Sequence, residues 1–156
     1  MNLDHDYAVH IEWTGDLGSG TRDYRGYSRD HTISAEGNPD ILASSDKTFH
    51  GSAERWNPEE LLLAALSDCH MLSYLHSAVR NGIVVTAYQD DAVGTMRTSG
   101  DGGAFTAVTL RPVVTISSGD PDVALAIHAD ASANCFIAAS VNFPVHHEPR
   151  IVVSAR

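Results

Sequence analysis

The run Asn57-Pro58-Glu59-Glu60 fixes the start of one long helix, and that helix constrains what the rest of the chain can become. An Asn at the cap satisfies an orphan amide, and Pro at the first helical position gives up an N–H that has no partner there anyway. The two acidic side chains then face the positive end of the helix dipole. No breaker follows until Gly82, a natural C-terminal stop, so the spacing predicts a helix from Pro58 to about Asn81. Leu61, Leu62, Leu63, Leu66, Leu75 and Val79, with Met71 and Leu72, put apolar groups on most of its faces. A helix apolar nearly all round is a buried one, and Met71 and Leu72 are expected in the core.

The other elements arrange themselves around it. Residues 6–13 read as a first strand, followed by a Gly-, Asp- and Arg-rich loop that carries Arg22, Arg25 and Arg29. Short strands are expected at 24–27 and 31–34, and residues 36–56 look irregular. Residues 83–97 and 104–116 read as two long strands joined by Ser-Gly-Asp-Gly-Gly, a hairpin signal. Asp120-Pro121 opens a second helix, with Val123, Ala124, Ile127, His128 and Ala131 at helical spacing as far as Asn134. Cys135 falls at its end, the next residues form a further turn, and 145–153 close the chain as a strand with Pro149 at an edge or bulge. This order indicates an α+β fold, a mainly antiparallel sheet wrapped on a long buried central helix, in a single domain over 1–156.

Composition excludes several classes of function. A 43% hydrophobic and 19% charged chain of 156 residues is globular and large enough for a real core. A net charge of −10 argues against nucleic acid and anionic membrane as partners, since both need a basic face. The opening residues lack a signal-peptide pattern, and no stretch reads as a membrane span, so a cytoplasmic location is expected. Nine histidines show no metal-ligand spacing, and His146 and His147 alternate across a strand, so no metal is expected.

Two cysteines in a reducing compartment call for an explanation by packing or by chemistry. A cysteine reacts as thiolate and needs a cationic or dipolar setting. Cys69 lies eleven residues beyond Pro58, about 16 Å along the helix, out of reach of a dipole effect confined to the first turn. A side chain must supply the charge, and arginine serves best because it stays charged when buried and its fork holds a thiolate and a carboxylate together. Arg22 and Arg25 are the leading candidates. Glu59, nearly three turns before Cys69, is placed to orient an arginine arriving from elsewhere, a second subunit included.

The segment N-P-E-E-L-L-L-A-A-L-S-D-C, from Asn57 to Cys69, closely resembles the helix of the osmotically inducible and organic-hydroperoxide-resistance proteins, the OsmC/Ohr family. W-T-G-D near the N-terminus, a glutamate ten residues before the first cysteine, and a second cysteine after an alanine-rich helix are similar too. The resemblance covers nearly the whole chain, although C-F-I stands where the family often has Pro after the second cysteine. It implies an intertwined homodimer with a thiol peroxidase site at the subunit interface. Cys69 would attack an organic hydroperoxide and form a sulfenic acid, and Cys135 would resolve it as a disulfide. Glu59, and Arg22 or Arg25, would correspond to the family's acid and arginine. No bound cofactor is implied, only an external dithiol reductant, for which a lipoylated protein is one candidate.

Two other readings of the same residues compete. One is a Cys-dependent hydrolase or transferase with His70 or His128 as base, although adjacency on one helix turns His70 away from Cys69. The other is a non-enzymatic module that holds a lipid or small ligand, its thiols incidental, with Trp56 among the pocket-lining candidates.

Overall fold

The Asn57 side chain accepts the Glu60 amide at 2.8 Å, and the Glu60 carboxylate reaches back to the Asn57 amide at 3.4 Å, closing a reciprocal cap. Helix α1 follows over Pro58–Arg80 in the computed structural model, which describes residues 3–154. It ends as the sequence predicts. Gly82 adopts φ +68°, its amide bonds Val79 O, and the Ile83 amide bonds Ala78 O at 3.0 Å, the pattern of a left-handed helix stop. The chain forms two compact units, Met1–Leu61 and Leu62–Arg156, which are described in turn.

The first unit holds an antiparallel sheet of β1 (His10–Trp13), β2 (His31–Ser34) and β3 (Ile41–Ala43) in that order. Strand β1 is shorter than the run 6–13 suggests because only His10–Trp13 finds a partner, in β2. No strand forms at 24–27; Tyr27 makes a single bridge to Asp16, and the loop is organised by side chains instead. The Trp13 indole donates to Ser28 O at 2.8 Å, and Arg29 donates to Tyr24 O and Tyr27 O with its guanidinium 4.1 Å from the Tyr27 ring centre. The expected irregular stretch contains β3 and a 3-10 turn at Lys47–Phe49 capped by Asp46. Trp56 bridges to Ala43 along the backbone and leaves its ring half exposed.

The second unit carries two three-stranded sheets. Neither long strand of the sequence reading is continuous: 83–97 divides into β4 (Val84–Asp90) and β5 (Val93–Ser99), and 104–116 into β6 (Gly102–Leu110) and β7 (Pro112–Ser118). The hairpin β5–β6 forms as its turn predicts, while β4 pairs with β7 in the other sheet. The breaks coincide. Asp90, at the end of β4, accepts the Arg111 amide between β6 and β7, so both strands change sheet at one point. The final segment divides likewise at Glu148 and Pro149, where β8 (Val145–His147) joins β6 and β9 (Arg150–Val153) joins β7, both in parallel.

Helix α1 runs past both sheets. Leu66 packs with Val108 and Leu110 of β6, whereas Tyr74 and Ala78 pack with Val114 and Ile116 of β7 and with α2 (Pro121–Ala133). Asp120 caps α2 by accepting the amides of Asp122 and Val123. Burial of α1 in this chain is one-sided, contrary to the expectation of an all-round buried helix. Its covered stripe is Leu66, His70, Tyr74, Ser77 and Ala78, while Leu72 is 57% and Val79 80% exposed, so Leu72 is not a core residue.

The segment Pro121–Ser140 is apolar and long enough, by composition, to cross a membrane, contrary to the expectation that no stretch reads as a span. It does not form one helix of that length. Helix α2 ends at Ala133 after 13 residues, about 20 Å against a hydrocarbon core of about 30 Å, and only a 3-10 turn at Ala138–Ser140 follows.

Candidate active site

The two thiols of the second unit meet. Cys69, half-buried on α1, neighbours Cys135, which is buried just past the end of α2, and both are free rather than disulfide-bonded. Cys135 sits where Asn134 has closed α2 and the chain turns into the Ala138–Ser140 helix. The Ala138 amide bonds its sulfur at 3.4 Å, and the Ala139 amide bonds its carbonyl at 3.0 Å. Burial pushes the Cys135 thiol up to about 11, reinforced by the neighbouring Cys69, while the amides of Ala138 and Ile137 pull weakly the other way. Cys135 therefore keeps its proton at neutral pH.

The residues expected to attend these thiols lie in the first unit. Arg22 and Arg25 are exposed in the loop between β1 and β2, and neither side chain takes an ion pair or hydrogen bond among the described residues. Glu59 occupies the first turn of α1, and its Oε2 is buried with no hydrogen-bond partner among the described residues. A bare buried carboxylate oxygen costs considerable free energy, so this atom calls for a donor. Arg55 contrasts with the other two arginines: it pairs with Asp30 at 3.3 Å, and its Nη1 is buried without a partner among the described residues.

A second buried polar pair stands beside the thiols and was not foreseen. His70 Nε2 and His128 Nδ1 are 3.1 Å apart, with ring centres 5.4 Å apart and planes within 9°. A nitrogen–nitrogen contact that short inside that centre separation means the rings meet edge to edge in an N–H···N hydrogen bond, not face to face. Tyr74 covers the pair, its ring centre 4.1 Å from that of His128 and its hydroxyl donating to Ala124 O at 2.9 Å. His147 of β8 packs against both imidazoles. Burial holds His70 down to about 4 and His128 down to about 3, with neighbouring histidines adding to it and Asp90 partly offsetting it at His70. The signal was there in part: His70 falls on the Leu66–Tyr74 stripe and His128 on the Ala124–Ile127–Ala131 stripe. Their pairing, 58 residues apart, had no sequence mark.

This pairing bears on the hydrolase alternative, which needs an imidazole nitrogen directed at sulfur. His70 Nε2 and His128 Nδ1 are directed at each other, and His128 Nε2, buried, has no hydrogen-bond partner, sulfur included, among the described residues. An apolar groove of about 410 Å³ opens at the far end of α1, lined by Leu75, Val79, Ile83 and Val85 among others, and neither cysteine belongs to it. Among the described residues no three His, Cys, Asp or Glu side chains converge as metal ligands.

The sequence profile of OsmC-like proteins matches residues 50–150. The chain belongs to the OsmC-like family. An OsmC-like protein of unknown function from Vibrio cholerae is 32% identical, with a TM-score of 0.85 over 94% of this chain and 99% of that one. An organic hydroperoxide resistance protein from Elizabethkingia anophelis shares the fold at 15% identity and a TM-score of 0.67, covering 97% of this chain and 100% of that one. One from Legionella pneumophila does so at 14% identity, with the same TM-score and coverage. No curated protein matches this chain. The OsmC-like fold thus carries the α+β architecture that the Asn57–Cys69 motif implied.

Proposed function

We propose that this OsmC-like protein is a cytoplasmic thiol peroxidase that reduces organic hydroperoxides, with Cys69 as nucleophile and Cys135 as resolving thiol. The observation that carries the reading is the asymmetric thiol pair: one half-buried sulfur beside a buried sulfur that holds its proton. Two hydroperoxide-resistance proteins of the same fold agree with it. The Cys69 thiolate displaces the distal oxygen of ROOH, the O–O bond breaks, and the alkoxide leaves with a proton as ROH. Cys135 then attacks the Cys69 sulfenic acid; the S–O bond breaks, an S–S bond forms, and water departs. An external dithiol, such as that of a lipoylated protein, returns both sulfurs to thiols.

Arg22 or Arg25 is proposed to stabilise the Cys69 thiolate, with Glu59 orienting the guanidinium from the other side. The unpartnered Glu59 oxygen supports this role. An intertwined homodimer would supply both that donor and a cover for Leu72 and Val79.

The test is intact mass after one equivalent of cumene hydroperoxide. Loss of two hydrogens is expected in the native protein. Cys135→Ser should accumulate a dimedone-reactive sulfenic acid, and Cys69→Ser should react with nothing. Retention of peroxidase turnover in Cys69→Ser would overturn the reading.

A further inference from the structure

Two hydrogen bonds cross between α1 and α2, and the pair of thiols continues their order beyond the end of α2. Tyr74 donates to Ala124 O, His70 bonds His128, and Cys69 neighbours Cys135. As the α1 number falls the α2 number rises, so the helices run antiparallel. The first two rungs stand one turn apart, four residues on each helix, whereas the third lies beyond the end of α2. Cys135 is tied to the last turn of α2 only by its amide, which bonds Ser132 O at 3.4 Å, so it travels with the end of that helix. Its placement depends on where the last firm contact leaves the end of that helix.

That last contact is the imidazole bond. Both rings are almost wholly buried, 2% and 1% exposed. An N–H···N bond in such surroundings is directional, and breaking it strands two desolvated nitrogens. The apolar contacts around it, Ala124, Ile127 and Ala131 against Tyr74 and Ala78, involve small or smooth side chains that tolerate sliding and rotation. A disulfide tolerates little of either, since its Cα atoms must stand roughly 4.4–6.8 Å apart.

We propose that the His70–His128 hydrogen bond is a positioning device that holds α2 in register on α1, so that Cys135 is presented to Cys69 for S–S bond formation. His70 and His128 are positioning residues and touch no substrate. The inference rests on the proposed use of this thiol pair but concerns only how readily the two sulfurs join, and that can be measured without a peroxide.

The experiment equilibrates the full-length protein with reduced and oxidised glutathione and measures the Cys69–Cys135 disulfide by mass after acid quenching. Two substitutions keep a hydrogen-bonding amide where the bonded nitrogen stands: H128N in place of Nδ1 and H70Q in place of Nε2. Two misplace it by one carbon: H128Q and H70N. The first pair should keep the disulfide equilibrium constant within threefold of the native protein. The second should lower it at least tenfold, about 30 mV for this two-electron couple. A loss of stability common to oxidised and reduced forms leaves that constant unmoved, which separates positioning from a merely structural role. Equal constants for all four variants, whether native-like or uniformly low, overturn the proposal. If the predicted pattern appears while the native protein fails to reduce cumene hydroperoxide, the positioning role stands and the peroxidase reading falls. Turnover with no pattern gives the reverse.

Discussion

The Ser67 hydroxyl donates to Asp90 Oδ2 at 2.5 Å, which ties the middle of α1 to the point where β4 leaves its sheet. The other oxygen of that carboxylate accepts the Arg111 amide at 2.6 Å. The Asp90 side chain therefore serves both strand breaks and the helix, which it meets at Ser67, two residues before Cys69. Asp90→Ala should cost about 2–3 kcal/mol, since hydrogen bonds to a charged group are worth more than neutral ones and two donors lose their partner. Ser67→Ala should cost about 1 kcal/mol. Urea unfolding monitored by circular dichroism measures both, and a smaller loss for Asp90→Ala than for Ser67→Ala would show that the carboxylate does not organise the breaks.

Cys135 should be the slow thiol of the pair. With its pKa pushed up to about 11, its thiolate fraction at pH 8 is on the order of a hundredfold below that of an ordinary cysteine near 8.5. Iodoacetamide at pH 8 should therefore modify Cys69 first, with Cys135 labelled only slowly in the folded protein. In Cys69→Ser the upward push from the neighbouring sulfur is altered while burial remains, so Cys135 should stay slow. Peptide mapping of the alkylated protein decides it. Preferential labelling of Cys135 would contradict the assignment of the buried, protonated role.

What the sequence disclosed was local chemistry. Asn57-Pro58 and Asp120-Pro121 mark helix starts because the cap and the proline act within one turn, and Gly82 marks a stop for the same reason. The Asn57–Cys69 motif then carried the fold as a whole. The strand breaks at Asp91-Ala92 and at Arg111 were hidden because β-forming residues continue on either side, and the break is imposed by partners in two different sheets. Strand β3 was hidden by its three-residue length between breakers. At the site, the thiols were legible as a pair through the family resemblance. The imidazole bond was not, since nothing in one helix says which face of another it will meet.

Acid should weaken the fold through His70 and His128. In the unfolded chain each imidazole binds a proton near pH 6.5, whereas in the folded chain burial delays this to about 4 for His70 and about 3 for His128. Below pH 6.5 the unfolded state therefore holds more protons. Stability from this source is full above that pH and is lost as pH falls towards 4 and then 3. Each ring contributes a slope of about 1.4 kcal/mol per pH unit inside its window. Urea midpoints at pH 7, 6 and 5 should fall progressively, and H128N should flatten the decline because one titrating ring is gone. A native decline no steeper than that of H128N would remove His128 from the account.

Two tyrosines of the same cluster should answer oppositely to loss of their hydroxyls. Tyr74 donates to Ala124 O inside the core, and burial pushes its phenol up to about 12; Tyr74→Phe leaves a buried carbonyl short of a partner and should cost about 1–1.5 kcal/mol. The Tyr88 hydroxyl is buried without a partner among the described residues. Its desolvation is uncompensated, so Tyr88→Phe removes a cost of about 1–3 kcal/mol while keeping the ring against Tyr74, 5.9 Å between centres. Thermal unfolding of the two variants should move the midpoint down for Tyr74→Phe and up for Tyr88→Phe. A drop in both would mean that the Tyr88 hydroxyl has a partner in the working molecule, supplied by water or by a second subunit.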